Sequence, residues 1–298
     1  MQVLSLFDGI SGARQALKEL SIECKYYASE IDKYAIQVSK SNHSDIIQIG
    51  NVNDIDFKQI KDVDLLIAGF PCQDLSIAKR DGKGLEGARS GLFSKCLEAL
   101  EICKPKYFLF ENVNSMKKEW KDKISELLGV EPIMINSALL TAQMRKRLYW
   151  TNIPNIQQPV DKGIILKDIL ESGDTERLKS YCIRACSKDY FNHGQRQLIF
   201  KKPVRVGHFN KGGQGDRIYS VNGKSVCLSA NGGGRGAKTG LYEIKDLVRK
   251  LTVTECERLQ GFPDNYCDSV SKTQAYKALG NSFTVPVIKH ILSTIFKN

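Results

Sequence analysis

The strongest constraint on the fold is a strand-length apolar run, Leu65–Ala68, followed by Gly69, Phe70, Pro71 and Cys72. Such a run is typical of a buried strand in a parallel sheet. Proline lacks an N–H and restricts the residue before it to extended conformations, so a helix cannot begin before Cys72. Ligands of open α/β sheets bind beyond the carboxyl ends of the strands, and the thiol would stand there. We predict a nucleophile; the alternative is an inert core thiol, since cysteine is often buried.

The N-terminal sequence predicts a strand in residues 1–7, a tight glycine turn in residues 8–12 and a helix in residues 13–20. A second predicted strand, residues 26–29, ends at Glu30. An acidic residue at this position accepts hydrogen bonds from a ribose in dinucleotide-binding folds. We therefore predict a nucleoside-containing cofactor, although the glycine turn lacks the full dinucleotide fingerprint.

Composition restricts the partners and the compartment. The net charge of +11, from 44 Lys+Arg and 33 Asp+Glu, favours a polyanionic partner, nucleic acid above all. The nine cysteines are odd in number and include no C-x-x-C pair, which predicts reduced thiols and no metal site. The N-terminus does not resemble a signal peptide, and no apolar run reaches transmembrane length. We expect a cytoplasmic monomer with no membrane segment.

Polar residues also accompany the later predicted strands. A fifth strand, residues 107–110, is followed by Glu111 and Asn112, which either face the crevice or cap a helix. Arg145 and Arg147 are spaced by two and share one face of an extended segment. They form either a solvated edge or a pair that orients a carboxylate and binds phosphate.

Two glycine-rich segments have open interpretations. Residues 76–91 carry four glycines and few apolar residues, which indicates a surface connection or a lid over the substrate. Residues 203–240 carry ten glycines and six basic residues against one acid, Asp216. They are either a flexible linker or short strands joined by glycine loops. The second structure suits DNA, with Arg217 able to make a bidentate contact to guanine.

In order along the chain, these motifs resemble those of DNA cytosine-C5 methyltransferases. The resemblance extends from Val3 to about Ile291, and the N-terminal half also resembles the vertebrate de novo DNA methyltransferases. The matching motifs are Phe7-x-Gly9-x-x-Gly12, Glu30, Gly69-Phe70-Pro71-Cys72-Gln73, Glu111-Asn112-Val113, Gln143-x-Arg145-x-Arg147 and Gly280-Asn281-Ser282.

The resemblance implies an α/β fold. A doubly wound, mostly parallel, Rossmann-like sheet would bind S-adenosylmethionine, and a smaller, mostly β domain would recognise the target. The catalytic domain is expected in residues 1–170 and 281–298, the target-recognition domain in residues 171–252 and a hinge in residues 253–280. We expect a helix at the start of the hinge, with Thr254 as its N-cap.

By the same resemblance, the catalytic residues are Cys72, Glu111, Asn112, Arg145 and Arg147. Addition of the Cys72 thiolate to C6 of cytosine makes C5 nucleophilic. Glu111, held by Arg147, is expected to hydrogen-bond N3 of the base, and Asn112 to support the Cys72 turn. Because the target atom is hidden in a duplex, the base has to be flipped into the pocket.

The resemblance also implies a site for S-adenosylmethionine, whose product is S-adenosylhomocysteine. Glu30 is expected at the ribose hydroxyls. Asn51 is expected near the adenine, where most family members have Asp, and its amide oxygen can still accept from the adenine amino group. The expected cofactor-binding residues are Phe7, Gly9, Ile10, Gly12, Glu30, Ile31, Asn51, Val52, Pro71, Leu92, Asn281 and Ser282.

The second glycine-rich segment resembles the recognition domains of bacterial family members that read GCGC. The expected DNA-binding residues are Gln214, Arg217, Cys227, Asn231 and Gly232. Gln214 would enter the space left by the flipped cytosine, and Arg217 would read a neighbouring guanine. Cys227 replaces the threonine that is usual in the family, and Asn231 replaces an aromatic residue. These departures leave the identity of the outer bases of the target site open. We expect a GC-containing duplex site with a CG step.

Two other functions compete with this hypothesis. A related enzyme acting on transfer RNA would share the catalytic motifs, but the chain lacks the Cys-Phe-Thr tripeptide typical of that branch. A non-catalytic DNA-binding regulator is expected to have lost Cys72, Glu111 or Arg147, and all of these are present. We therefore expect a bacterial or phage DNA methyltransferase of the restriction-modification type, located with the nucleoid.

Overall fold

Buried apolar strands alternate with amphipathic helices along the first half of the chain and generate a doubly wound α/β domain. The computed structural model describes residues 1–71, 92–171, 203–210, 212–230, 236, 238–244 and 247–296. The strands are β1 (Gln2–Leu6), β2 (Lys25–Ser29), β3 (Ile47–Gln48), β4 (Leu65–Ala68), β5 (Tyr107–Val113), β6 (Ile133–Asn136), β7 (Lys146–Thr151), β8 (Arg205–His208), β9 (Arg217–Ser220), β10 (Leu241–Ile244) and β11 (Leu247–Arg249). The helices are α1 (Gly12–Glu19), α2 (Lys33–Asn42), α3 (Phe93–Cys103), α4 (Lys118–Leu128), α5 (Val253–Gln260), α6 (Lys272–Asn281) and α7 (Val285–Ser293).

Within the described residues, the large sheet has seven strands in the order β3-β2-β1-β4-β5-β7-β6. Strands β1 to β5 run parallel, whereas β7 is antiparallel to both β5 and β6. The strand order reverses at β1, which pairs with β2 on one side and β4 on the other. A crevice opens at such a switch point, beyond the carboxyl ends of the strands. The predicted mostly parallel sheet is confirmed.

The two faces of this sheet are covered by different helices. Along β1, Val3 packs into the cluster that contains the apolar sides of α1, α2 and α7, whereas Leu4 and Leu6 pack with α3 and α4. This alternation follows from the two-residue period of a strand, and burial on both faces explains its continuous apolar sequence. Helix α7 packs against α1, so the C-terminal end of the chain returns to the N-terminal half.

The small sheet has four strands in the described residues, in the order β11-β10-β9-β8. Residues 221–230, here called the recognition segment, run from β9 back to the large domain. Their backbone bonds to it through Ser225 N–H to Ala142 O (2.7 Å) and Met144 N–H to Ser225 O (3.1 Å). The short strands predicted in the glycine-rich region are present. The predicted domain limits at residues 170, 252 and 280 stay predictions.

The structure corrects several local predictions. Thr252, not Thr254, caps α5: its side chain accepts from the Glu255 N–H, and Glu255 in turn accepts from the Thr252 N–H. This reciprocal capping box satisfies N–H groups that a helix start leaves unpaired. Strand β5 continues through Glu111 and Asn112 because β7 pairs alongside, so these residues lie in a strand rather than after one. None of the helices in the described ranges is long and apolar enough to cross a membrane.

Candidate active site

A cavity of about 400 Å³ lies beyond the carboxyl ends of β1, β2, β4 and β5, within the size range of small-molecule sites. Most of the residues that the sequence predicts for the cofactor and for catalysis line this cavity. Those predicted for the cofactor are Phe7, Gly9, Ile10, Glu30, Ile31, Asn51, Val52, Pro71, Leu92 and Asn281. Those predicted for catalysis are Glu111, Asn112, Arg145 and Arg147.

Other predicted residues are not in this lining. Cys72, Asn231 and Gly232 lie outside the described residues. Gly12 and Ser282 are described but do not line the cavity. A Cβ on Gly12 would approach Phe283 Cβ to 3.3 Å, and the Ser282 hydroxyl donates to Leu279 O at 3.0 Å.

The Glu30 carboxylate is fixed by backbone donors. Its Oε2 accepts from Gly9 N–H at 2.8 Å, and its Oε1 accepts from the N–H groups of Ile31 (2.7 Å) and Asp32 (2.8 Å). A carboxylate offers about four acceptor positions, so it can still bind a hydroxyl. The β1 and β2 loops thereby position an acceptor at the cavity wall.

The loop after β1 has an unusual backbone. Phe7 (φ 57°), Gly9 (φ 60°) and Ser11 (φ 61°) all adopt the left-handed region, which is costly for the two residues with a Cβ. The buried Asp8 carboxylate holds the loop by accepting from the hydroxyls of Ser5 (2.6 Å), Ser11 and Tyr26 (2.7 Å). Burial raises the pKa of Asp8 to about 6, although these hydroxyl bonds oppose the rise. Sequence reasoning missed Asp8, whose only signal was a polar residue directly after a buried strand.

An ion pair lies on the opposite side of the cavity. Arg147 Nε lies 2.9 Å from Glu111 Oε1, and both side chains are mostly buried. The pair follows from sheet register, because Val113 of β5 lies opposite Arg147 and Glu111 opposite Tyr149 on β7. The structure thus brings together the carboxylate and the arginine that the family resemblance paired.

Asn112 fixes the turn that follows β4. Its Nδ2 donates to Phe70 O at 3.1 Å, and its Oδ1 accepts from Val113 N–H at 2.8 Å. Gly69 permits the close approach of another element, since a Cβ there would lie 2.9 Å from the Phe283 ring. The turn leading towards residue 72 is therefore held from both sides.

Arg145 has different partners from Arg147. Its guanidinium is buried and donates to Gly280 O (3.2 Å), Ser282 O (2.9 Å) and the Cys227 Sγ (3.4 Å). Desolvation raises the pKa of the Cys227 thiol, but the charges of Arg145 and Arg147 outweigh it and lower that pKa below its ordinary value. Both arginines therefore act on Cys227; in addition, Arg145 binds the carbonyls of Gly280 and Ser282, and Arg147 pairs with Glu111.

The remaining predicted DNA-binding residues lie at or just before the start of β9 in the small sheet. Gln214 is exposed in a short 3₁₀ turn, Gln214–Asp216, and Arg217 follows at the start of β9 with its Nε 3.5 Å from Gly212 O.

The side chain of Asn51 begins another 3₁₀ turn, beside the cavity. Its Oδ1 accepts from Asn53 N–H at 3.1 Å.

Sequence reasoning missed part of the cavity wall. Asp32 caps α2 by accepting from Tyr34 N–H at 2.9 Å, and Lys277 Nζ of α6 lies 2.6 Å from its other oxygen. Burial alone would raise the pKa of Asp32, but Lys277 and the backbone donors lower it. The signal for Asp32 was its position between a strand and a helix; nothing local indicated Lys277, which is 245 residues away.

In the described ranges, no His, Cys, Asp or Glu group is arranged to hold a metal ion.

Comparison with known proteins identifies the class of protein to which this fold and cavity belong. The fold is that of a methyltransferase: an Entamoeba histolytica methyltransferase structure aligns with 99% of this chain and 98% of its own, with a TM-score of 0.72 at 20% identity. The model of the C-5 cytosine-specific DNA methylase family matches residues 1–297. The chain belongs to this family and is a DNA (cytosine-5-)-methyltransferase.

The relatives include enzymes of restriction-modification systems. The type II methyltransferase M.HhaI of Haemophilus parahaemolyticus is 35% identical over 99% of this chain and 94% of its own length. The type II methyltransferase M1.ScrFI of Lactococcus lactis subsp. cremoris is 32% identical over 97% of this chain and 76% of its own length. Enzymes of this family act on DNA and use S-adenosylmethionine as methyl donor.

Proposed function

We propose that this chain methylates C5 of a cytosine flipped out of duplex DNA, with S-adenosylmethionine in the cavity and a transient bond from Cys72 to C6. The observation that carries the proposal is the Glu111–Arg147 pair, 2.9 Å apart, in the lining of the same cavity as Glu30. One cavity would thus contain both a base-binding carboxylate and a cofactor site.

The donor set fits the cofactor. The fixed Glu30 carboxylate suits ribose hydroxyls, and the apolar Phe7 and Ile31 side chains suit an adenine ring. Asn51 offers both donors and an acceptor to the adenine edge, where an aspartate would offer acceptors alone. When bound, the cofactor supplies an electrophilic methyl group on a sulfonium.

On the substrate side, each residue has a distinct task. A proton shared between the Glu111 carboxyl group and N3 of the cytosine would form the hydrogen bond between these two acceptors, and Arg147 would keep the carboxyl group oriented. Asn112 would hold the Phe70 carbonyl and so aim the turn from which Cys72 attacks C6. The addition makes C5 enamine-like. After methyl transfer, loss of the C5 proton and elimination of the Cys72 thiolate restore the aromatic ring.

The small sheet would read the DNA. Gln214 is exposed and could fill the space of the flipped base, with Arg217, Cys227, Asn231 and Gly232 against neighbouring bases and backbone. The preferred target is a GC-containing site with a CG step, as in GCGC. Residues 76–91, predicted as a surface connection or a lid, lie outside the described residues.

The test is transfer of a tritiated methyl group from the cofactor to a GCGC duplex, a scrambled duplex and transfer RNA. We expect label in the GCGC duplex only. Glu111→Gln should reduce the rate by about 10²-fold or more, as when a charge-stabilising donor or acceptor is removed from an active site. Label in transfer RNA alone would contradict the proposal. Bisulfite sequencing of DNA from expressing cells would then give the target sequence.

A further inference from the structure

Residues 280–283, here called the junction, connect α6 to α7 and contact several parts of the site. Asn281 lines the cavity, and the Phe283 ring packs over Gly69 before the Cys72 turn. A Cβ on Gly280 would lie 2.5 Å from the backbone nitrogen of Ala230, so α6 reaches the recognition segment at backbone distance. The part of the cavity wall predicted to bind the cofactor and the recognition segment predicted to face DNA therefore meet at these four residues.

The Arg145 side chain stabilises the junction by hydrogen bonds. Its guanidinium donates to the carbonyls of Gly280 and Ser282, on either side of Asn281. These carbonyls lie at the C-terminal end of α6, where a helix leaves acceptors unpaired and its dipole favours a cation. The Arg145 backbone is itself fixed, because its N–H donates to Asn136 Oδ1 at 3.1 Å.

The same arginine contacts the recognition segment. Its Nη1 lies 3.4 Å from the Cys227 Sγ. The neighbouring Leu228 N–H donates to Gln143 Oε1 at 3.2 Å, and Gln143 Nε2 lies 3.4 Å from Leu259 O of α5. A displacement of residues 227–228 would thus be transmitted to Arg145 and then to the carbonyls around Asn281.

We propose that Arg145 is a positioning residue that couples the cofactor site to the recognition segment, rather than a contact for substrate or phosphate. This rests on the proposed function, since it requires that the cavity hold the cofactor and that residues 221–230 face DNA. When the recognition segment binds DNA, it fixes the conformation of the junction. The junction in turn fixes the position of Asn281 in the cavity wall. By thermodynamic linkage the coupling is reciprocal.

The test compares Arg145→Lys and Arg145→Ala with the wild type in binding assays that need no catalysis. S-adenosylhomocysteine affinity is measured by calorimetry with and without a GCGC duplex, and duplex affinity is measured across a salt series. The wild type should bind the product about 10-fold more tightly with the duplex present, within the usual range of coupling. In both variants this factor should fall towards ~1, because lysine cannot reach both carbonyls and the thiol.

The salt series separates the two roles. A side chain that neutralises a phosphate contributes about −0.9 to the slope of log affinity against log salt. We expect the slope to be unchanged in both Arg145 variants. A slope that becomes less negative by about 0.9, or a coupling factor that stays at the wild-type value, would overturn the inference.

Gly280→Ala is a second variant that leaves every charge in place. Its Cβ would meet the Ala230 backbone, so the junction has to shift. It should lose the same coupling factor while the salt slope is kept, and retained coupling would contradict the inference. If wild-type protein bound neither the product nor the duplex, the proposed function would fail; if it bound both and only the coupling tests failed, the inference alone would fall.

Discussion

The two sides of the cleft hold their residues by different means. In the N-terminal rim, residues 7–12 and 30–32, the Glu30 carboxylate is fixed by the backbone N–H groups of Gly9, Ile31 and Asp32, all from the N-terminal part of the chain, although Lys277 also pairs with Asp32. The recognition segment is fixed by buried long side chains that cross between elements. Lys224 is fully buried and donates to Ala138 O (2.7 Å), Thr141 O (3.1 Å) and Ile164 O. One side is a preformed ligand cradle, whereas the other is a docked element that depends on distant partners.

The largest expected effect is on the docked side. Lys224→Met would leave the carbonyls of Ala138, Thr141 and Ile164 buried without their donor, at a cost of about 3 kcal/mol in the free energy of unfolding. Urea unfolding measures this change. Lys167→Met, at an exposed lysine on the same contact, is the matched control and should change stability by less than about 0.5 kcal/mol. Equal values for the two variants would remove the distinction between the two sides.

On the cradle side, Glu30→Gln should weaken cofactor binding and cost less stability than Lys224→Met. The amide oxygen can keep the bonds from Ile31 and Asp32, but the amide NH2 then faces the Gly9 N–H and the charge that strengthens a hydroxyl bond is lost, so S-adenosylhomocysteine affinity should fall about 10-fold. Calorimetry measures this, with the exposed Glu23→Gln as control. Destabilisation comparable to that of Lys224→Met would show that the cradle, too, depends on this side chain for folding.

Two groups, Asp8 in the rim and His43 at the end of α2, predict opposing pH effects on stability. Asp8 has its pKa raised from 3.8 to about 6, chiefly by burial, so its contribution is present below pH 4 and lost as pH rises through 6. His43, whose Nε2 lies 3.1 Å from the Tyr266 hydroxyl, has its pKa lowered from 6.5 to about 4 by burial and by Arg14 and Lys18. Its contribution is present above pH 6.5 and lost as pH falls towards 4.

These two groups therefore offset each other between about pH 4 and 6. Relative to the wild type, Asp8→Asn should make the free energy of unfolding rise more steeply with pH, and His43→Gln should make it fall, each by up to about 1 kcal/mol per pH unit. Unfolding curves at several pH values measure both slopes. Two variants with parallel, unchanged slopes would show that neither group titrates abnormally in the folded protein.

The same contrast explains what could be predicted from the sequence. Glu30 and Glu111 were found because acidic residues at strand ends mark the crevice of a parallel sheet, whereas the pairing of Glu111 with Arg147 was expected from the family resemblance. The partners of Arg145 and Lys224 were not foreseen, because Gly280 lies 135 residues and Ala138 86 residues away in the chain. The cap of α5 was misplaced by two residues, since Thr252 and Thr254 both precede the same apolar face and only the Glu255 bond selects between them.

The most direct test of the central claim uses a duplex with 5-fluorocytosine at the CG step, mixed with wild-type protein and cofactor. The fluorine blocks the final elimination, so the wild type should form a protein–DNA complex that survives denaturation, with the peptide containing Cys72 attached to the base. Cys72→Ser should form none while still binding the duplex. A denaturation-resistant complex with Cys72→Ser, or attachment at another residue, would contradict the account.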